Sequence, residues 1–227
     1  MPDIVYNAWA GSEPSLMAFI DLANQIHLAK KFLHVKWIFP NAPINRDAMA
    51  QAWYYPRPFS PIPVPRHEKD PSPEEEEEKD DETGMMASVD YICGLIDKEV
   101  ADGMVPLDRI VLGGFSQGCA ISLLVALRSR YAGKLRGIIG LSGYLPLAQT
   151  VGRVLDAQKD LQEQPTQYLL LHGTRDQMVP RRIFSSYTSK MEEWFGVNVV
   201  SKLYEGLGHT TSGIEVRELC EWLEKLL

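Results

Sequence analysis

Three cysteines among 227 residues, Cys93, Cys119 and Cys220, are odd in number and too widely spaced to frame disulfides or a zinc site. That scarcity fits a reducing compartment, and the expectation is cytoplasmic, with the nucleus also open. No apolar run reaches the roughly 18 to 20 residues that a membrane-spanning helix needs. The opening MPDIVYNAWAGSEP lacks the basic end and long apolar core of a signal peptide. Membrane contact is therefore expected to be transient and confined to the surface. Positive charge is also short: 23 Lys and Arg stand against 30 Asp and Glu, a net charge of −7, with no basic face to neutralise phosphates. Nucleic acid is excluded as a partner on that ground. His27, His34 and His67 fall at no metal-ligand spacing with Cys, Asp or Glu, so neither a metal nor another cofactor is expected. No obligate protein partner is marked either. Glycine is nearly missing from the first third, where Gly11 is the only one before Gly84.

What is present is a globular alternation. Hydrophobic residues make up 45% of the chain, enough for one α/β domain over residues 1–227, and no repeat or central linker argues for two. Strands are expected at His34–Phe39, Arg109–Leu112, Gly137–Leu141, Gln167–Leu171 and Val197–Tyr204. Helices are expected at Pro14–Phe32, Met85–Asp102, Gln117–Arg130, Ile183–Phe195 and Ser212–Leu227. Strands separated by helix-length segments imply a mostly parallel sheet with helices on both faces. One stretch departs from this, YPRPFSPIPVPRHEKDPSPEEEEEKDDE from Tyr55 to Glu82, proline-rich and then acidic. Such a composition buries no core, so a disordered or extended surface loop is expected at about 56–82.

The densest local signal is IVLGGFSQGCAISLLVAL, residues 110–127. A continuous apolar run reads as a strand covered on both faces, and Ile121, Leu124, Val125 and Leu127 then recur at helical spacing. Between them stands Gly114-Phe115-Ser116-Gln117-Gly118, a G-x-S-x-G turn whose small residues let the backbone bend sharply and present the serine oxygen at the strand's end. The pentapeptide alone recurs by chance, and its weight comes from sitting between a strand and a helix.

A serine nucleophile needs a base and a group to orient that base. In open α/β sheets such groups gather at the carboxyl ends of strands. After QYLLL comes HGTRDQMVP, which puts Asp176 just past a strand end; after VVSKLYEG comes LGHTTS, which puts His209 before the last helix. The order Ser116, Asp176, His209 is that of an α/β-hydrolase. His172 is a weaker candidate base because it precedes the carboxylate. Cys119, in the first helical turn, is a weaker candidate nucleophile and is better read as a small packing residue.

Together RIVLGGFSQG, LSGYLPL, LLLHGTRDQMVP and YEGLGH resemble the acyl-protein thioesterases, small carboxylesterases and lysophospholipases of the α/β-hydrolase class, with fungal members nearest in pattern. The resemblance implies Ser116 as nucleophile, His209 as general base and acid, Asp176 as its orienter, and the main-chain N–H of Gln117 as one oxyanion donor. It also implies hydrolysis of long-chain acyl thioesters on protein cysteines (protein depalmitoylation), with lysophospholipids and simple esters as alternatives. S-acylated proteins would then be the partners, as substrates. Tyr144 and Leu145, with Met178 and Val179, would offer apolar surface to the acyl chain.

Two departures from the family pattern are visible. The usual H-G-x-G-D segment, whose backbone supplies a second oxyanion donor, is absent, and IVYNAWAGSEP stands as a degenerate substitute within an atypical segment 1–32. Cys119 occupies a position where a second glycine is common. The first departure raises an alternative, a catalytically impaired acyl-chain binding or regulatory protein on the same fold.

Overall fold

The computed structural model describes residues 3–9, 23–24, 26–28, 30–56, 80–103, 105–157 and 166–227. Six parallel strands form one sheet in the order β2-β1-β5-β6-β7-β8: β1 Asp3–Trp9, β2 Val35–Ile38, β5 Ile110–Phe115, β6 Gly137–Leu141, β7 Gln167–Gly173 and β8 Val199–Tyr204. Between β2 and β5 a short antiparallel pair, β3 Ile44–Asn45 and β4 Ala50–Gln51, stands apart from the sheet. The main helices are α1 Glu82–Gly103, α2 Gln117–Arg128, α3 Ala148–Ala157, α4 Arg181–Phe195 and α5 Gly213–Leu226.

The period-2 geometry of the strands sorts their side chains into two cores. Ile110, Leu112, Ile138, Tyr168 and Leu170 join α1, α2, α3 and α4 on one face. Val111, Phe115, Ile139, Leu141, Leu169 and Leu171 join α5 on the other. Every residue of β5 and β6 is buried, whereas β8 alternates because it is an edge strand. Residues 118–127 of α2 are all buried, as a helix lodged between the sheet and α1 requires.

The sequence-based expectations need four corrections. The expected strand 34–39 is present as β2, but an unanticipated strand, β1, precedes it and lies between β2 and β5 within the segment read as atypical. The expected helix 14–32 falls partly outside the described residues; residues 23–24 and 26–28 are helical, but Lys30 and Phe32 take positive φ, so the helix ends before them. Helix α3 was not anticipated. The proline-rich and acidic stretch lies at 57–79 outside the described residues, and its expected end at 82 is already the start of α1. Asp81 caps that helix, its Oδ1 accepting the Gly84 N–H at 2.9 Å while its Oδ2 accepts the Tyr55 N–H at 2.8 Å. One side chain therefore starts α1 and ties down the chain on the far side of the stretch.

No helix among the described residues is long and apolar enough to cross a membrane. All three cysteines are free and buried.

Candidate active site

The chain runs from β1 to β2 on one side and later returns to place β5 on the other side of β1. Such a reversal opens a crevice at the carboxyl ends of the two strands, the place where doubly wound sheets bind ligands. Ser116 is the residue that follows β5. It sits at φ 55°, ψ −118°, a conformation costly for a residue with a side chain and held only where the surroundings over-determine it. Its N–H donates to the Leu141 C=O at the end of β6 (2.9 Å), and its C=O accepts the Ala120 N–H in the first turn of α2 (3.2 Å). Close packing from the β6 loop completes the hold. A Cβ on Gly143 would stand 2.4 Å from Cys119 Cβ and 2.9 Å from the Ser116 oxygen.

Asp176 follows β7 in a tight turn. Its Oδ1 accepts the N–H groups of Met178 (2.9 Å) and Val179 (2.8 Å), and its Oδ2 lies 2.7 Å from His209 Nδ1. The carboxyl group is fully buried. His209 follows β8, its ring 4.7 Å from that of Phe115, with Nε2 3.1 Å from Ser116 Oγ. A carboxylate can only accept, so Nδ1 carries the proton and donates to Asp176, leaving the Nε2 lone pair to accept from the serine hydroxyl.

The two loops are joined to each other. Thr174 N–H donates to the Tyr204 C=O and Arg175 N–H to the Leu207 C=O, each at 2.9 Å. Gly173 makes this approach achievable, since a Cβ there would lie 2.2 Å from the Leu207 oxygen. Three residues beyond His209, Ser212 and Glu215 form a reciprocal capping box that anchors α5 (2.8 and 3.3 Å).

Other sequence candidates are placed as follows. His172 is wholly buried, stacked on Phe184, with Nε2 2.9 Å from the Val179 C=O and 3.7 Å from Asp176 Oδ2; it does not reach Ser116. Burial lowers its pKa from 6.5 and keeps it neutral. Burial pushes the Cys119 thiol up to about 12, the reverse of an activated nucleophile. Tyr144, Leu145 and Val179 belong to the core, whereas Met178 is 65% exposed. Gln117 opens α2, and its side-chain amide bonds Trp53 and Tyr54. Sequence reasoning passed over that pair, because both bonds go to main-chain groups.

A strained serine turn after a central parallel strand, with acid and histidine on the loops of the next-but-one and last strands, defines an α/β-hydrolase. The comparisons agree. The phospholipase/carboxylesterase family matches residues 21–227. The chain is 34% identical over 212 residues to acyl-protein thioesterase 1 of Yarrowia lipolytica, covering 90% of this chain and 83% of that protein. It is 34% identical over 186 residues to acyl-protein thioesterase 1 of Schizosaccharomyces pombe, covering 80% and 73%. Among solved structures, Zea mays acyl-protein thioesterase 2 superposes with a TM-score of 0.69 at 24% identity, covering 99% of this chain and 93% of that one. Arabidopsis thaliana SOBER1 gives 0.71 at 23%, covering 99% of each. The chain belongs to the phospholipase/carboxylesterase family of α/β-hydrolases. It is a serine hydrolase with thioesterase/carboxylesterase function, and the alternative of a non-catalytic acyl binder finds no support in the comparisons.

Proposed function

We propose that Ser116, His209 and Asp176 carry acyl transfer to water, and that the substrates are long-chain acyl thioesters on protein cysteines, with simple carboxylic esters and lysophospholipids as secondary substrates. The observation that carries this reading is the continuous hydrogen-bond chain from Ser116 Oγ through His209 to Asp176. Ser116 Oγ attacks the acyl carbonyl while His209 Nε2 takes its proton, and buried Asp176 stabilises the resulting imidazolium. The tetrahedral oxyanion accepts from the Gln117 N–H. His209 then protonates the departing thiolate, and a water deprotonated by the same nitrogen releases the acid and restores Ser116.

The relatives' names support the thioester substrate. Exposed Met178, whose N–H is bound to Asp176, is the acyl-chain contact among the four apolar candidates; Tyr144, Leu145 and Val179 back it from the core. The register Ala8↔Gly114 and Trp9↔Phe115 supports main chain between Asn7 and Ser12 as the second oxyanion donor, in place of H-G-x-G-D; residues 10–12 of that stretch lie outside the described residues. The sheet running from β1 to β8 supports one domain, and buried free thiols suit a cytoplasmic or nuclear protein.

A fluorophosphonate should label Ser116, and the chain should release thiol from a palmitoyl-thioester peptide. Ser116→Ala should abolish labelling and lower turnover by roughly four to six orders of magnitude, with thermal stability retained. Saturable acyl binding without turnover, unchanged in Ser116→Ala, would favour the non-catalytic alternative.

A further inference from the structure

Nothing in the acyl-transfer scheme requires a glutamine at position 117, since the oxyanion needs only that residue's main-chain N–H. Yet both ends of its side-chain amide are engaged. Oε1 accepts the Trp53 N–H at 3.0 Å, and Nε2 donates to the Tyr54 C=O at 3.2 Å. Trp53 and Tyr54 are each 1% exposed and belong to neither helix nor strand, so their main-chain groups depend on such partners. The stretch is immobilised from three further directions. Ser88 Oγ donates to the Trp53 C=O, the Tyr54 and Tyr144 hydroxyls bond each other at 2.9 Å, and Tyr55 is held by Asp81. Gln117 is thus fastened to a fixed, buried strap 63 and 64 positions away in sequence.

The other half of the observation lies at the start of α2. A serine at a helix N-cap ordinarily turns its hydroxyl back onto the N–H groups of the first turn. Ser116 is the N-cap of α2 and makes no such bond, because its Oγ faces His209. The first turn of this helix lacks its usual side-chain cap at the point where the donor N–H must be held. Oxyanion donors act at about 2.7 to 3.1 Å, and a displacement of about 1 Å can cost roughly a hundredfold in rate.

We propose that the Gln117 side chain is a positioning element for acyl transfer: it ties the first residue of α2 to the Trp53–Tyr54 strap and so holds the Gln117 N–H on the developing oxyanion, in place of the cap that the nucleophile cannot supply. This rests on reading Ser116 as the nucleophile and the Gln117 N–H as an oxyanion donor.

Gln117→Met keeps side-chain length and helix propensity while removing both hydrogen bonds. Active sites are counted by fluorophosphonate titration, and kcat, KM and inhibition by an acyl trifluoromethyl ketone, which forms a serine-linked oxyanion, are measured per titrated site. The expected result is a kcat lower by about ten- to a hundredfold, KM within about threefold, and ketone inhibition weakened by about the same factor as kcat. Gln117→Leu, which also removes both bonds with a neutral side chain, should give the same result and serves if the methionine variant does not fold. A lower melting temperature and fewer titratable sites, with kcat per site and ketone inhibition unchanged, would overturn the proposal and leave a purely structural glutamine. Failure of the unmodified chain to label at Ser116 would instead overturn the nucleophile assignment beneath it.

Discussion

The loop that carries Ser116 and the loop that carries Asp176 deliver their side chains to the same histidine by opposite means. At the serine, the backbone itself is forced: a positive φ, main-chain bonds to Leu141 and Ala120, and the close approach of Gly143 fix the turn that carries the hydroxyl. At the aspartate, φ is not positive and the side chain is held by donors, with Met178, Val179 and His209 occupying its two oxygens. Under the proposed roles, the difference follows from chemistry. A nucleophile has to keep its hydroxyl free of strong partners except the base, so only backbone geometry and packing are left to aim it. A buried carboxylate must have its lone pairs filled, and filling them aims it.

Breaking the acid side should have the larger effect. Asp176→Asn preserves shape but offers an amide N–H to His209, which favours the wrong tautomer; kcat should fall by roughly ten-thousandfold while fluorescence-monitored unfolding changes little. A loss under tenfold would mean that another group orients His209.

The serine side should break through packing. In Gly143→Ala the new methyl group meets Cys119 and the Ser116 oxygen, and we expect turnover to drop by about a hundredfold with destabilisation of about 1 to 3 kcal/mol by denaturant melts. Adding Cys119→Gly removes two of the three close contacts and should recover at least tenfold of that turnover. Independent, additive losses would show that the strained serine turn, or elbow, is not packing-limited.

The smallest effect sharpens the comparison. Burial lowers the pKa of His172 below its ordinary 6.5, so the folded state resists a proton that the unfolded chain accepts. Stability is then full above about 6.5 and lost as the pH falls from there toward the folded value. His172→Gln can still donate to the Val179 C=O but does not titrate, so its melting temperature should fall less steeply than the parent's between about pH 7 and 5. Glu215, raised by burial, works in the opposite sense, gaining stability as pH falls through its folded value toward 4.5. The difference between variant and parent therefore isolates His172. Parallel profiles would show that the acid-side loop is not where protons destabilise the fold.

The four strands from β5 to β8 were legible because burial on both faces, or on one face at the edge, writes itself as apolar runs or alternation. The elbow and the two later loops were legible because Ser, Asp and His stand immediately after those runs. β1 was not, because DIVYNAW mixes Asn and Trp into a short run, and its strand character is fixed by pairing with β2 and β5, which lie 26 or more residues further along. β3 and β4, two residues each, are too short to show a period. Gln117's partners were invisible for a related reason: a side chain bonded to main-chain groups places no demand on the residue types it meets.

The hydrogen bond from Tyr55 to Asp81 has a consequence for protein engineering. It clasps the chain on either side of residues 57–79, so the strap beneath the elbow is fastened independently of what is threaded between. Each doubling of such an insert costs only about 0.6 kcal/mol in closure entropy. A reporter domain spliced between Arg57 and Lys79 would leave that clasp, and with it the hold on the Trp53–Tyr54 strap, in place.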